Sequence, residues 1–173
     1  MKTGAELAWM LLTLLPLNSG CYQVSAAEPG IKSIDHVGIS TPDIARSIRF
    51  YRDLMGMKLL EQDQIENQAE YDAIFGLKNV KAKAAVLRLG SMELELFEFQ
   101  RPAEEHTDRT LPVTHPGIYH VCFAVLDVRK EYERLKAAGV SFISAPQDFG
   151  VALAVYGRDP DGNIVELVQW REK

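Results

Sequence analysis

"IDHVGIS", residues 34–40, returns further along the chain as "IYHVCFA", residues 118–124. Each copy sets one histidine inside a short apolar run, in a chain that has only four histidines. The residues after each histidine agree as well. His36 is succeeded by Asp43 and then by a helix-like stretch ending at Gly56, and His120 by Asp127 and a stretch ending at Gly139. Segments that agree in order and spacing, with little identity, are the mark of a duplicated supersecondary unit.

In the first unit, "TPDIARSIRFYRDLMG" predicts a helix. Ser40 or Thr41 can cap it, Pro42 suits its first turn and Asp43 complements the positive dipole end. Ile44, Ile48, Tyr51 and Met55 fall on one face, and Gly56 ends it. In the second unit Asp127 caps "VRKEYERLKAAG", with Val128, Tyr132 and Leu135 as the apolar stripe. Three further strands are expected in the first unit, at 58–66, 83–89 and 92–99, with a short helical piece "AEYDAIFG" among them. The second unit repeats this at 141–144, 152–156 and 164–170, the last preceded by the turn "DPDGN". The fold class is therefore α+β, built as two βαβββ modules. Module 31–100 and module 117–171 are joined by a proline- and charge-rich linker, 101–116.

Strand parity then places the histidines. Val37 and Ile39 share one face of the first strand, and His36, Gly38 and Ser40 the other. On the repeat, Tyr119, Val121, Phe123 and Val125 oppose His120, Cys122 and Ala124. The bulky faces suit packing against helices, and the small residues beside each imidazole suit a cavity wall. The last strand of each module adds a carboxylate. "MELELFEF" carries Glu93, Glu95, Phe97 and Phe99 on one face, and "NIVELVQW" buries Glu166 in an apolar strand. An isolated buried carboxylate costs several kcal/mol (order of magnitude) and requires a partner.

Two imidazoles and two carboxylates, His36, Glu95, His120 and Glu166, form a mixed N/O ligand set for a divalent metal such as Zn, Ni, Co, Mn or Fe. Glu93 is the competitor to Glu95. Cys122 reads as small-residue packing, His106 and His115 as surface residues of the linker, and Phe97, Phe99 and Trp170 as candidate pocket lining or rim.

Composition narrows the partners. A net charge of −5 with no basic run argues against nucleic acid. The first residues have another character. "LAWMLLTLLPL", 7–17, is an apolar run too short to span a bilayer, preceded by Lys2 and followed by the small residues of "VSAAE". That order reads as an export signal over residues 1–27, cleaved after Ala26 or Ala27. "LNSGC" offers a second expectation, a lipoprotein signal with Cys21 lipidated. The expected location is then the periplasm or a membrane surface, with membrane contact only through the leader or lipid, and the cytoplasm if the leader is silent. If the leader is cleaved, Cys122 is left without an intrachain disulfide partner.

The sequence resembles the vicinal oxygen chelate superfamily, which includes glyoxalase I, methylmalonyl-CoA epimerase, extradiol dioxygenases and antibiotic-resistance proteins. The resemblance covers about residues 33–171 and rests on "IDHVGISTPDIARSIRFYRDLMGMKLL", "LELFEF", "GIYHVCFAV" and "RDPDGNIVELVQW". It implies modules whose sheets curl into a cupped half-barrel, helices outside, around a metal held at the positions of His36, Glu95, His120 and Glu166. It further implies a glyoxalase I-like lyase or isomerase. Such an enzyme acts on a small substrate with vicinal oxygens through an enediolate-type intermediate, with Glu166, and after it Glu95, moving the proton. A homodimer is the expected assembly. The linker is long enough for the site to close within one chain, exchange between two chains being the other arrangement. Ser40 stands where bacterial glyoxalase I has a glutathione-holding arginine, so the substrate is left open. An Fe or Mn dioxygenase of a diol or phenolic compound, and a non-catalytic module that sequesters a small molecule, are the alternatives.

Overall fold

The computed structural model describes residues 30–103 and 110–172. The leader over 1–27, with Cys21, and the linker residue His106 lie outside the described residues. Among those described, no helix is long and apolar enough to cross a membrane.

Two four-stranded mixed sheets carry the chain. The first comprises β1 (His36–Ser40), β2 (Lys58–Glu66), β3 (Lys81–Leu89) and β4 (Met92–Arg101), in the order β1-β4-β3-β2. The second comprises β5 (His120–Ala124), β6 (Gln147–Asp148), β7 (Ala152–Arg158) and β8 (Ile164–Trp170), in the order β5-β8-β7-β6. In each, the first strand lies parallel to the last and the other pairings are antiparallel. The two sheets are not closed into one, so the half-barrel is present as two open halves.

Helices α1 (Ile44–Arg49) and α3 (Val128–Ala137) cover one face of the sheets, as their apolar stripes require. Val128 and Leu135 are buried from α3, and Ile44 and Ile48 from α1, in one core with Leu94, Leu96, Val165 and Leu167. Asp127 caps α3, accepting from the amides of Arg129 and Lys130. The cap of α1 is Asp43, which accepts from Arg46 N at 3.0 Å, rather than Ser40 or Thr41. The Thr41 hydroxyl instead meets Ser47 Oγ at 2.7 Å in the interior.

The helix expected to run on to Gly56 changes winding at Phe50. Residues Phe50–Leu54 form a π-turn, with Met55 N donating to Phe50 O and Met57 N to Tyr51 O. The wider turn accompanies the burial of both Phe50 and Tyr51, whose rings meet edge to face at 5.0 Å. Met55, expected on the buried stripe, is only half-buried.

The strand expected at 141–144 reduces to a single bridge, Phe142 to Gly157, and the regular pairing resumes at β6. Pro146 stands between the two and lacks the amide a continuous ladder needs.

The "DPDGN" turn does more than reverse the chain. The Asp159 carboxylate accepts the Tyr51 hydroxyl at 2.7 Å, the amides of Asp161 and Asn163, and Asn163 Nδ2. Asp161 accepts from Arg46 at 2.5 Å and Ser47 Oγ at 2.9 Å. The helix of the first module is thereby fastened to the last turn of the second. Desolvation pushes Asp159 above its usual range despite these donors, and drives the Tyr51 phenol far upward.

Candidate metal centre

Register gives both modules the same local geometry. In the first, Glu95 on β4 lies beside Gly38, two residues after His36. In the second, Glu166 on β8 lies beside Cys122, two residues after His120. Side chains two apart on a strand point to the same face. Each histidine therefore leans along its strand to meet a carboxylate from the next: His36 Nε2 is 3.4 Å from Glu95 Oε2, and His120 Nε2 is 3.0 Å from Glu166 Oε2.

Glu93, the competitor, is engaged elsewhere. It sits beside His36 in the parallel register, but its carboxylate takes Arg88, whose Nε donates at 2.8 Å and whose NH2 group makes a second, shorter contact.

The outer nitrogens of the two imidazoles differ. His36 Nδ1 contacts Asp35 Oδ2 at 3.2 Å, which suits Nδ1 as the protonated nitrogen and turns Nε2 toward Glu95 as a lone pair. That hydrogen bond, and after it the Glu95 charge, raises His36 above its ordinary value. Sequence reading passed over Asp35, and its only signal was adjacency to the histidine. His120 Nδ1 is buried and has no hydrogen-bond partner among the described residues. Its ring lies against Tyr119 and Tyr156, with centroids at 4.5 and 5.5 Å. Tyr156 faces Glu166 across β7 and β8, and Tyr119, desolvation and Glu166 together push its phenol up to about 12. Desolvation and the Glu166 carboxylate also push the Cys122 thiol up to about 12, so at neutral pH it is a neutral side chain and no nucleophile.

A lone pair aimed at a carboxylate is unfavourable unless a cation lies between them, and either a proton or a metal ion meets the need. Metal–ligand bonds of about 2.0–2.2 Å at right or tetrahedral angles hold neighbouring ligand atoms about 3–3.5 Å apart. Both His–Glu pairs have that separation, so each suits half of a metal centre. The four groups stand as two pairs: among the described residues, no three His, Cys, Asp or Glu side chains converge closely enough to hold a metal ion. The linker length allowed closure within one chain, and the structure does not bring the pairs together. Both lie toward free sheet edges, on β1–β4 and β5–β8.

His115 lies in the described part of the linker and is exposed, as expected. Trp170, at the end of β8, is 67% exposed.

Comparison with known proteins identifies the family and the fold. The sequence pattern of the Glyoxalase/Bleomycin resistance protein/Dioxygenase superfamily matches residues 33–167. Among curated relatives, a 2-epi-5-epi-valiolone epimerase from an Actinomyces species is 31% identical over 81% of this chain and 80% of its own. Glyoxalase I of Saccharomyces cerevisiae is 27% identical over 79% of this chain but only 44% of its own length, so the chain spans under half of that protein. Among solved structures, a glyoxalase family protein from Bacillus cereus superposes with a TM-score of 0.77 at 22% identity, covering 86% of this chain and 100% of that one.

Proposed function

The chain belongs to the Glyoxalase/Bleomycin resistance protein/Dioxygenase superfamily, and from that premise we propose that it is a metal-dependent lyase or isomerase of glyoxalase type. Its substrate is a small molecule with two neighbouring oxygens. The reading is carried by the two equivalent His–Glu pairs, each at ligand-to-ligand distance and each on the first and last strands of its module. His36 and Glu95 supply one half of the centre, and His120 and Glu166 the other.

A divalent metal in this set supplies a Lewis acid for negative charge developing on a chelating substrate. The chain's own residues do the rest. Asp35 holds His36 with Nε2 inward. Tyr119 and Tyr156 screen one side of His120 from water. Glu166, with its side chain only 17% exposed, is the group placed to take a proton from one carbon and return it to the next. Glu95, at 29% exposure, is the wetter and weaker candidate for that step.

Because the two pairs stand apart and lie toward free sheet edges, the working site forms between two copies of the chain, one giving β1 and β4 and the other β5 and β8. Relatives named as glyoxalase I and as an epimerase favour proton transfer over oxygen chemistry as the reaction class. Export rests on the leader-like residues 1–27 alone and is tested by cell fractionation.

Elemental analysis of the purified protein, beside His120→Ala combined with Glu166→Ala, tests the centre. About one divalent ion per chain, lost in the double variant, supports it, and failure of the wild type to take up metal after reconstitution contradicts it. Glu166→Ala separates the enzyme from a sequestering module, since it abolishes turnover and leaves simple capture of a small molecule largely intact.

A further inference from the structure

The face that carries His36 and Glu95 changes character along its strands. Side by side across β1, β4, β3 and β2, one row reads Gly38, Glu95, Val86 and Glu61, and the next Ser40, Phe97, Ala84 and Asp63. Neither row carries a cation. A Cβ built on Gly38 meets nothing within 4 Å, so open space lies directly beside the Glu95 carboxylate.

Beyond that space stands an aromatic wall. Helix α2 (Ala69–Phe75) sets Phe75 edge to face on both Phe97 and Phe99, at 5.6 and 5.2 Å, and Tyr71 stacks on Phe75 at 5.8 Å. The wall is anchored from below. Ile65, Val80 and Ala82 pack under it fully buried, and the Asp72 carboxylate accepts the amides of Asn79 and Val80 at 2.7 and 2.8 Å, pinning α2 to the start of β3. The four rings themselves are only half-buried, so apolar ring surface is left facing the open side. Phe97 is two residues from Glu95 on the same strand face, about 7 Å along it.

We infer that this patch is a substrate subsite: an alkyl or aryl limb lies over Gly38 and Ala84 against Phe97 and Phe75, while the neighbouring oxygens of the same molecule face His36 and Glu95. An anionic limb, such as the carboxylates of a peptide thiol, meets Glu61, Asp63 and Glu95 there and is disfavoured, since the cations of this face, Lys58 and Arg88, stand in the row of His36, where Arg88 is engaged by Glu93. The inference rests on the chelating-substrate reading and adds the chemical class of the substrate's other end.

Two bidentate probes separate them. The zinc-loaded chain is titrated calorimetrically with acetohydroxamate, which has neighbouring oxygens and a methyl group, and with benzohydroxamate, which replaces the methyl by a phenyl ring. Filling an apolar pocket is worth tenfold or more per small group, so benzohydroxamate is expected to bind at least about tenfold more tightly. Phe97→Ser and Phe75→Ala should bring the ratio near one while metal content and acetohydroxamate affinity hold. Gly38→Leu, which fills the open space without backbone strain, should exclude benzohydroxamate selectively. Equal affinity of the wild type for both probes, or a preference that survives all three variants, overturns the subsite. If neither metal nor acetohydroxamate binds, the chelate reading has failed. The subsite is then decided by whether benzohydroxamate shifts the Phe75, Phe97 and Phe99 ring signals in the metal-free protein: shifts support it and their absence overturns it.

Discussion

Tyr51→Phe removes one oxygen atom and with it one of the bonds that tie the first module's helical segment to the second module's last turn. Tyr51 is fully buried, and its hydroxyl donates to Asp159 Oδ2 at 2.7 Å. A hydrogen bond to a charged acceptor contributes about 1.5–3 kcal/mol. The Asp159 carboxylate keeps its other three donors after the change, so the lower part of that range, about 2 kcal/mol, is expected. For a unit of this size, 1 kcal/mol corresponds to roughly 4 °C, which puts the fall in Tm at about 8 °C. Urea unfolding supplies the free energy directly, through a shift in midpoint at constant m-value. A double-mutant cycle with Asp159→Asn isolates the pair, and a coupling of about 1–2 kcal/mol is expected. A loss below about 0.5 kcal/mol, or additive single effects, would refute the claim that this bond fastens the modules together.

Glu166→Gln should lower kcat by about 10²–10⁴ with the metal content less affected, as elemental analysis and steady-state kinetics will show. Zinc at 100 times Kd should stabilise the wild type by about 2.7 kcal/mol, read as a rise in Tm, and should not do so in His120→Ala with Glu166→Ala. Cys122→Ser should leave activity nearly unchanged across neutral pH, since the thiol, pushed up to about 12, is already protonated there. The pH dependence of stability divides by sign. Glu98, despite desolvation that opposes the shift, is held below its ordinary value by Lys83 and by the Ile44 amide, so its contribution is present above the unfolded value and is lost as pH falls through the folded one. Asp159, raised by desolvation, acts oppositely: between its unfolded and folded values the native state binds more proton, and stability there falls as pH rises. Glu98→Gln should therefore flatten the acid limb of a Tm-against-pH curve.

The parity of β1 and β5 was legible because a regular, unbulged strand alternates its faces, so "HVGIS" and "HVCFA" show which side each histidine takes before any partner is known. The same rule put Glu95 and Glu166 on the histidine faces. It could not choose between Glu93 and Glu95, which share a face; what separates them is Arg88 on the neighbouring strand. Periodicity also found the two outer helices. It missed the π-turn at Phe50, which accompanies the burial of a tyrosine whose partner, Asp159, lies far along the chain. "DPDGN" read as a turn, and its second role as a clamp on α1 depends on a contact between modules that spacing does not encode. Ring packing of α2 on Phe97 and Phe99 was hidden for the same reason. Whether two half-sites face each other within a chain or across two is likewise a matter of module packing.

The most direct measurement mixes two variants, each able to build only half of the centre. His36→Ala with Glu95→Ala disables the first module, and His120→Ala with Glu166→Ala the second. Each is expected to bind no metal alone. Unfolded together and refolded at equal concentration, they form mixed dimers in which one site receives both intact halves. Metal binding should then return to about a quarter of the wild-type value under statistical pairing. A mixture that forms mixed dimers and still binds no metal, while the wild type does, would contradict a centre shared between two copies.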